Sequence, residues 1–206
     1  MHTRSLGPAS LILALLLAAC GSTPTSTESP STPSDTTAPS AASAVASADT
    51  RVAPEPSDDE LGDFSCDVAV TDPGTVARAN ITDVRVGTHA GYDRIVFQFD
   101  GGLPMYSVEP ASPPFSADAS GQPISVDGDR FLGIRLHGGT KQTDSGGSSY
   151  DGPTNFDPAF PRLVDLVEGG DFEAISTWYA GLSAGDACFR VTALDGPPRL
   201  VIDVEQ

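Results

Sequence analysis

Tyr92-Asp93-Arg94-Ile95-Val96-Phe97-Gln98-Phe99-Asp100-Gly101-Gly102 is the stretch that decides the fold. Its side chains alternate with a period of two. Ile95, Phe97 and Phe99 fall on one face and Arg94, Val96 and Gln98 on the other, and Asp-Gly-Gly then stops the run with turn chemistry. The same format closes the chain, where Leu200, Ile202 and Val204 alternate with Arg199, Val201 and Asp203. Between these two runs lie others of similar length, punctuated by Gly, Pro and Asp: Ile81 to Val86, Met105 to Glu109, Ile124 to Val126, Phe131 to Leu136, Leu163 to Val167, Phe172 to Ala180 and Ala187 to Leu194. Sustained helical periodicity is absent, with one or two helical turns over Phe160 to Val167 as the exception allowed. Short strands at regular spacing predict an all-β domain, an antiparallel β-sandwich of two sheets, over residues 63–206.

Composition narrows the function. The 206-residue chain carries 28 acidic against 11 basic side chains, a net charge of −17. A phosphate backbone would be repelled by that charge, so no nucleic acid partner is expected. One globular domain suits the length once the N-terminal segments are set aside.

Residues 1–20 read as a secretory signal. His2 and Arg4 precede the apolar run Leu11-Ile12-Leu13-Ala14-Leu15-Leu16-Leu17, which is too short to span a bilayer. The run ends in Leu17-Ala18-Ala19-Cys20-Gly21, which resembles the bacterial lipobox. That resemblance implies a diacylglyceryl group on Cys20, a membrane anchor of two acyl chains, and a protein held at the extracytoplasmic face of the cell membrane. Residues 21–62 are Ser, Thr, Pro, Ala and acids without hydrophobic periodicity, and read as a disordered tether spanning roughly 35–40 Å.

Cys20 being assigned to lipid, Cys66 and Cys188 remain as an even pair in an oxidising compartment, and a structural disulfide is expected between them. Two free thiols or a metal pair are the weaker possibilities, because no further Cys or His stands at ligand spacing.

Catalytic motifs fail on inspection. Thr143-Asp144-Ser145-Gly146-Gly147 is similar to the nucleophile motif of chymotrypsin-like proteases, but His89 lies in a Thr-His-Ala-Gly context without that family's neighbours. His137-Gly138-Gly139-Thr140 is similar to an esterase oxyanion loop, yet no Gly-x-Ser-x-Gly elbow exists. Gly138 to Asp151 therefore reads as a polar loop. Asp127-Gly128-Asp129 offers too few ligands for calcium and reads as a turn. No cofactor, metal or catalytic residue is expected.

The arginines offer more. Arg85, Arg94, Arg135 and Arg199 could form a row on one exposed sheet face and meet a partner, with Tyr92 as an aromatic contact. The plainer reading pairs Arg94 and Arg199 with carboxylates such as Asp203 across strands. Trp178 reads as core.

The runs GYDRIVFQFDG, PISVDGDRFLGIRLHGGT and GDACFRVTALDGPPRLVIDVEQ together resemble the AMIN-like domain of actinobacterial lipoproteins, over roughly residues 76–206. This family is related in outline to the AMIN domain of cell-wall amidases and secretins. The resemblance implies a two-sheet β-sandwich, a non-catalytic module, and targeting to peptidoglycan or to an envelope protein. With 20 acids against 9 bases from Phe64 onward, a neutral glycan or a protein suits the domain better than a polyanion. Two other readings stay open: a hydrolase of envelope carbohydrate using a carboxylate pair, and a carrier with an apolar pocket between the sheets near Leu136 to Phe160.

Overall fold

The structure, a computed structural model, describes residues 61–206. The Cys20 anchor and the tether up to residue 60 lie outside the described residues. Every regular element is a strand: β1 (Ser65–Cys66), β2 (Val70–Asp72), β3 (Ala79–His89), β4 (Tyr92–Phe99), β5 (Met105–Ala111), β6 (Phe115–Ser116), β7 (Pro123–Ile124), β8 (Arg130–His137), β9 (Gly139–Thr140), β10 (Asn155–Phe156), β11 (Leu163–Phe172), β12 (Ile175–Leu182), β13 (Cys188–Leu194) and β14 (Arg199–Glu205). They form a first sheet in the order β1-β13-β14-β4-β3-β9 and a second in the order β10-β11-β12-β8-β5-β2, with β6 and β7 as a separate hairpin. All named pairings are antiparallel except β3 with β9.

The two alternating runs, Tyr92 to Phe99 and Arg199 to Val204, are neighbours. β14 pairs with β4 so that Ile202 faces Ile95 and Leu200 faces Phe97, and these residues point into the core as their alternation requires. The second sheet sends Leu132, Ile134, Leu136, Val108, Leu166 and Trp178 into the same cluster. Phe97 and Trp178 meet edge-to-face across it, ring centroids 5.5 Å apart. Trp178 is sealed from water, and its indole N–H donates to Ser176 Oγ at 2.9 Å.

One polar residue fastens the sheets together. Asp93 also points inward from β4 and is fully buried. Its Oδ2 accepts the N–H groups of Arg162 (2.6 Å) and Leu163 (2.8 Å), and its Oδ1 accepts from Gln206 Nε2 (2.8 Å). The chain therefore enters β11 extended, and the helical option over Phe160 to Val167 is corrected to strand. Arg162 braces the same corner by donating to the carbonyls of Ser183, Ala184 and Asp186.

The expected disulfide is present. Cys66 and Cys188 are bonded, 122 positions apart, where β1 pairs with β13.

The largest misreading concerns β11 and β12. Phe172 ends β11 rather than beginning β12, and the turn between them is Glu173-Ala174, both with positive φ (53° and 58°). Two consecutive left-handed residues match the twist of a tight hairpin, normally built with Asn or Gly. Neither is present here, so no turn signal marked it.

Candidate functional site

The four residues proposed as contacts divide between the two sheets. Arg94, Tyr92 and Arg199 lie on the first and Arg135 on the second, so the single arginine row is corrected. Arg94 points away from the core, as its alternation predicts, but it is not exposed: only 4% of it is accessible, and Arg199 is also buried. Arg94 binds Asp203 with two bonds, Nε to Oδ1 at 2.6 Å and Nη2 to Oδ2 at 3.0 Å. Arg190 reaches the same carboxylate, Nε to Oδ2 at 2.9 Å. Both guanidinium groups sit over the Tyr92 ring (5.1 and 4.9 Å), and His89 stacks on that ring at 4.8 Å. Residues 61–64 run beside this cluster: Arg190 also lies over Phe64 at 4.5 Å and donates to the carbonyls of Leu61 and Gly62. The plainer reading of Arg94, a cross-strand partner of Asp203, is the one the geometry matches.

The outer face of the second sheet is different. Register places Phe172, Ile175, His137 and Met105 in one row across β11, β12, β8 and β5. The two ends of the row are exposed large apolar side chains, Phe172 at 48% and Met105 at 41%. The next row holds Thr177, Arg135 and Ser107. Arg135 is half exposed and pairs with Glu109 at 2.5 Å, an ion pair worth well under 1 kcal/mol in water. On either side of Arg135 lies a hollow. One of about 370 Å³ is bounded by His137, Phe172, Ile175 and Asp118. The other, about 270 Å³, is bounded by Glu109, Phe115, Pro110 and Tyr179. The β6–β7 hairpin closes this end, with Phe115 against Tyr179 (4.5 Å) and Phe131 (5.1 Å).

A third feature lies where the polar loop meets β11. Register slips between Glu168 and Gly170, a bulge that bends the strand. A side chain at Gly169 would strike the Tyr179 ring, 2.8 Å from an added Cβ. Beside the bulge opens a polar groove of about 590 Å³, whose walls include Lys141, Gly146, Gly147, Thr154, Glu168 and Asp171. Lys141 Nζ contacts Glu168 Oε2 at 2.6 Å, with only 9% of the Glu168 side chain accessible. Glu168 Oε1 is buried without a hydrogen-bond partner. Burial pushes the Glu168 carboxyl up from its ordinary value, and Asp171 adds to the rise while Lys141 opposes it. Asp171 accepts from the Thr140 hydroxyl (2.8 and 2.9 Å) and from the Lys141 N–H (2.6 Å). The 138–151 loop is therefore tied into the fold by specific bonds. Sequence offered no signal for this groove, since Lys141 and Glu168 are 27 positions apart and meet only through β11.

The protease-like stretch does not assemble a nucleophile. The Ser145 hydroxyl lies 3.0 Å from that of Thr143, and Asp144 faces Arg78 at 3.6 Å. Asp127 precedes a bend at Gly128-Asp129, and its backbone N–H donates to Asp165 at 2.9 Å. Among the described residues no group of three or more His, Cys, Asp or Glu is placed to hold a metal ion, and no helix there is long and apolar enough to cross a membrane.

The described residues form an all-β domain whose second sheet carries half-exposed polar and exposed apolar side chains on its outer face. A family model for the AMIN-like domain matches residues 79–206, well over half of the chain, and the chain belongs to the AMIN-like family. No curated protein and no solved structure matches it.

Proposed function

We propose that this protein is an extracytoplasmic envelope-binding module, non-catalytic and held to the membrane by a lipid on Cys20. Its two sheets are read as the layers of a sandwich, and its contact face as the outer surface of the second sheet. Family membership supports the envelope assignment. The observation that carries the choice of face is Arg135, a half-exposed cation between two hollows on a sheet whose edge residues Phe172 and Met105 are open to water.

Cell-wall glycan is the occupant this chemistry favours. An exposed aromatic offers a flat apolar surface to a sugar ring, and the Arg135–Glu109 pair offers donors and acceptors to its hydroxyls. Arg94 and Arg199, buried in the first sheet, serve the fold instead.

Co-sedimentation of the full-length protein with purified sacculi across a salt series tests this reading. Retention should persist at high salt, and the Arg135→Ala, Phe172→Ala double variant should lose at least about fivefold of it with an unchanged melting temperature, roughly 1 kcal/mol of binding. Retention that disappears with modest salt would reduce the contact to charge adhesion. Absence of retention at every salt would transfer the face to a protein partner.

A further inference from the structure

We propose that the groove beside the β11 bulge is a second binding site, for a small zwitterionic ligand of the amino-acid or dipeptide type. The ligand's ammonium group would meet Glu168 and Asp171, and its carboxylate would meet Lys141.

The Lys141–Glu168 pair is incomplete. Glu168 is nine-tenths buried, yet only one of its carboxylate oxygens has a partner, Lys141 Nζ at 2.6 Å; the other is buried with none. A buried acceptor left empty is costly, more so when it is charged. One ammonium, from Lys141, serves a wall that carries two carboxylates, Glu168 and Asp171. A second ammonium donor, able to reach both carboxylates, is the group this wall has room for.

A simple cation would leave Lys141 competing for the same oxygens. A zwitterion avoids the competition by exchange. Its ammonium takes the place of Lys141 on Glu168, and the released lysine, whose stem is long and rotatable, pairs with the ligand's carboxylate. Both internal charges then keep a partner, so the exchange strands neither of them in the fold.

Size and lining agree with such a ligand. About 590 Å³ suits a molecule of one or two residues. Gly146 and Gly147 line the groove without side chains, and their N–H groups are held by Thr143, which leaves a smooth wall against which a small ligand can lie. An added Cβ at Gly147 meets only the Thr143 hydroxyl, at 3.4 Å, so this wall can be filled without disturbing the fold. The inference does not rest on the reading of the second sheet's outer face as a sugar-binding surface.

Calorimetric titration of the full-length protein with alanyl-alanine tests it. The dipeptide should bind, and its Nα-acetylated form, which lacks the ammonium, should bind at least about tenfold more weakly, a difference of about 1.4 kcal/mol. Glu168→Gln should cost the free dipeptide a similar factor. Gly147→Leu should remove binding while the melting temperature holds, which separates loss of the site from loss of the fold. Equal binding of the free and acetylated dipeptides would overturn the proposal. So would the absence of any binding up to about ten millimolar, the weak limit for a specific site. Neither result would alter the expectation for sacculi.

Discussion

Arg94 and Asp203 form a two-bond ion pair across β4 and β14, at 2.6 and 3.0 Å, with side chains 5% and 1% accessible. Planar donors matched to a carboxylate give the strongest geometry available to an ion pair, and little water is present to weaken it. Asp203→Ala removes a buried carboxylate that both Arg94 and Arg190 bind, and should destabilise the domain by about 3–5 kcal/mol in denaturant unfolding, as loss of one member of a buried pair does. Arg94→Ala should cost a comparable amount. Losses below about 1 kcal/mol would place the pair with exposed ones and reopen Arg94 as a contact residue.

The Cys66–Cys188 bond closes a loop of 122 positions. Its removal by reductant should lower stability by about 2–4 kcal/mol, because the unfolded chain regains the freedom the crosslink denies it. Equal melting temperatures with and without reductant would contradict this.

Tyr150 is buried, and its hydroxyl donates to the Pro153 carbonyl at 2.8 Å. Burial first, then the negative charges of Asp83 and Glu168, push its phenol from 10.0 up to about 12. An ultraviolet titration should show one tyrosine ionising near that value, and Tyr150→Phe should remove it. The folded state holds this proton after the unfolded state has released its own. The contribution to stability is therefore intact below pH 10 and lost as pH rises through about 12.

Glu168 gives a pH dependence at the acid end. Its carboxyl is raised from 4.5, chiefly by burial, so between 4.5 and the raised value the folded state binds more protons than the unfolded. Stability from this group therefore grows as pH falls through the raised value and levels off below 4.5. Measured against Glu168→Gln, which does not titrate, the wild-type protein should gain ground on acidification. A difference that stays flat with pH would show that burial does not penalise this carboxylate.

The proposed anchor is tested by Cys20→Ser. Loss of two acyl chains should move the protein from the membrane fraction to the soluble fraction. Unchanged fractionation would discard the lipid.

Much of this was legible in the residues themselves. Strand β4 has the ends its sequence predicts, and the alternation in β4 and β14 gave the core faces, because one inward side must avoid water along the whole strand. The cysteine pair followed from arithmetic. What periodicity could not supply was the environment of the outer faces. It placed Arg94 outward, but the Tyr92, Arg190 and Asp203 groups around it come from three strands spread over more than a hundred positions. The Glu173-Ala174 turn was hidden for a local reason, since residues that normally avoid left-handed backbone adopt it there. With that turn misplaced, Phe172 lost its position at the end of the exposed row. The groove was least visible, because its charges meet only when the 138–151 loop folds back on the β11 bulge.

The disulfide also has a mechanical meaning. A pull applied through the N-terminal segment reaches Cys66 and divides there, one branch following the chain forward and the other crossing to Cys188 and running back along the chain. Arg135 and Phe172 both lie within the loop that these branches enclose. Tension between the tether and the second sheet's outer face is thus shared by two backbones. Those 122 positions, about 400 Å of extended chain, cannot pay out between the joined cysteines while the bond is intact.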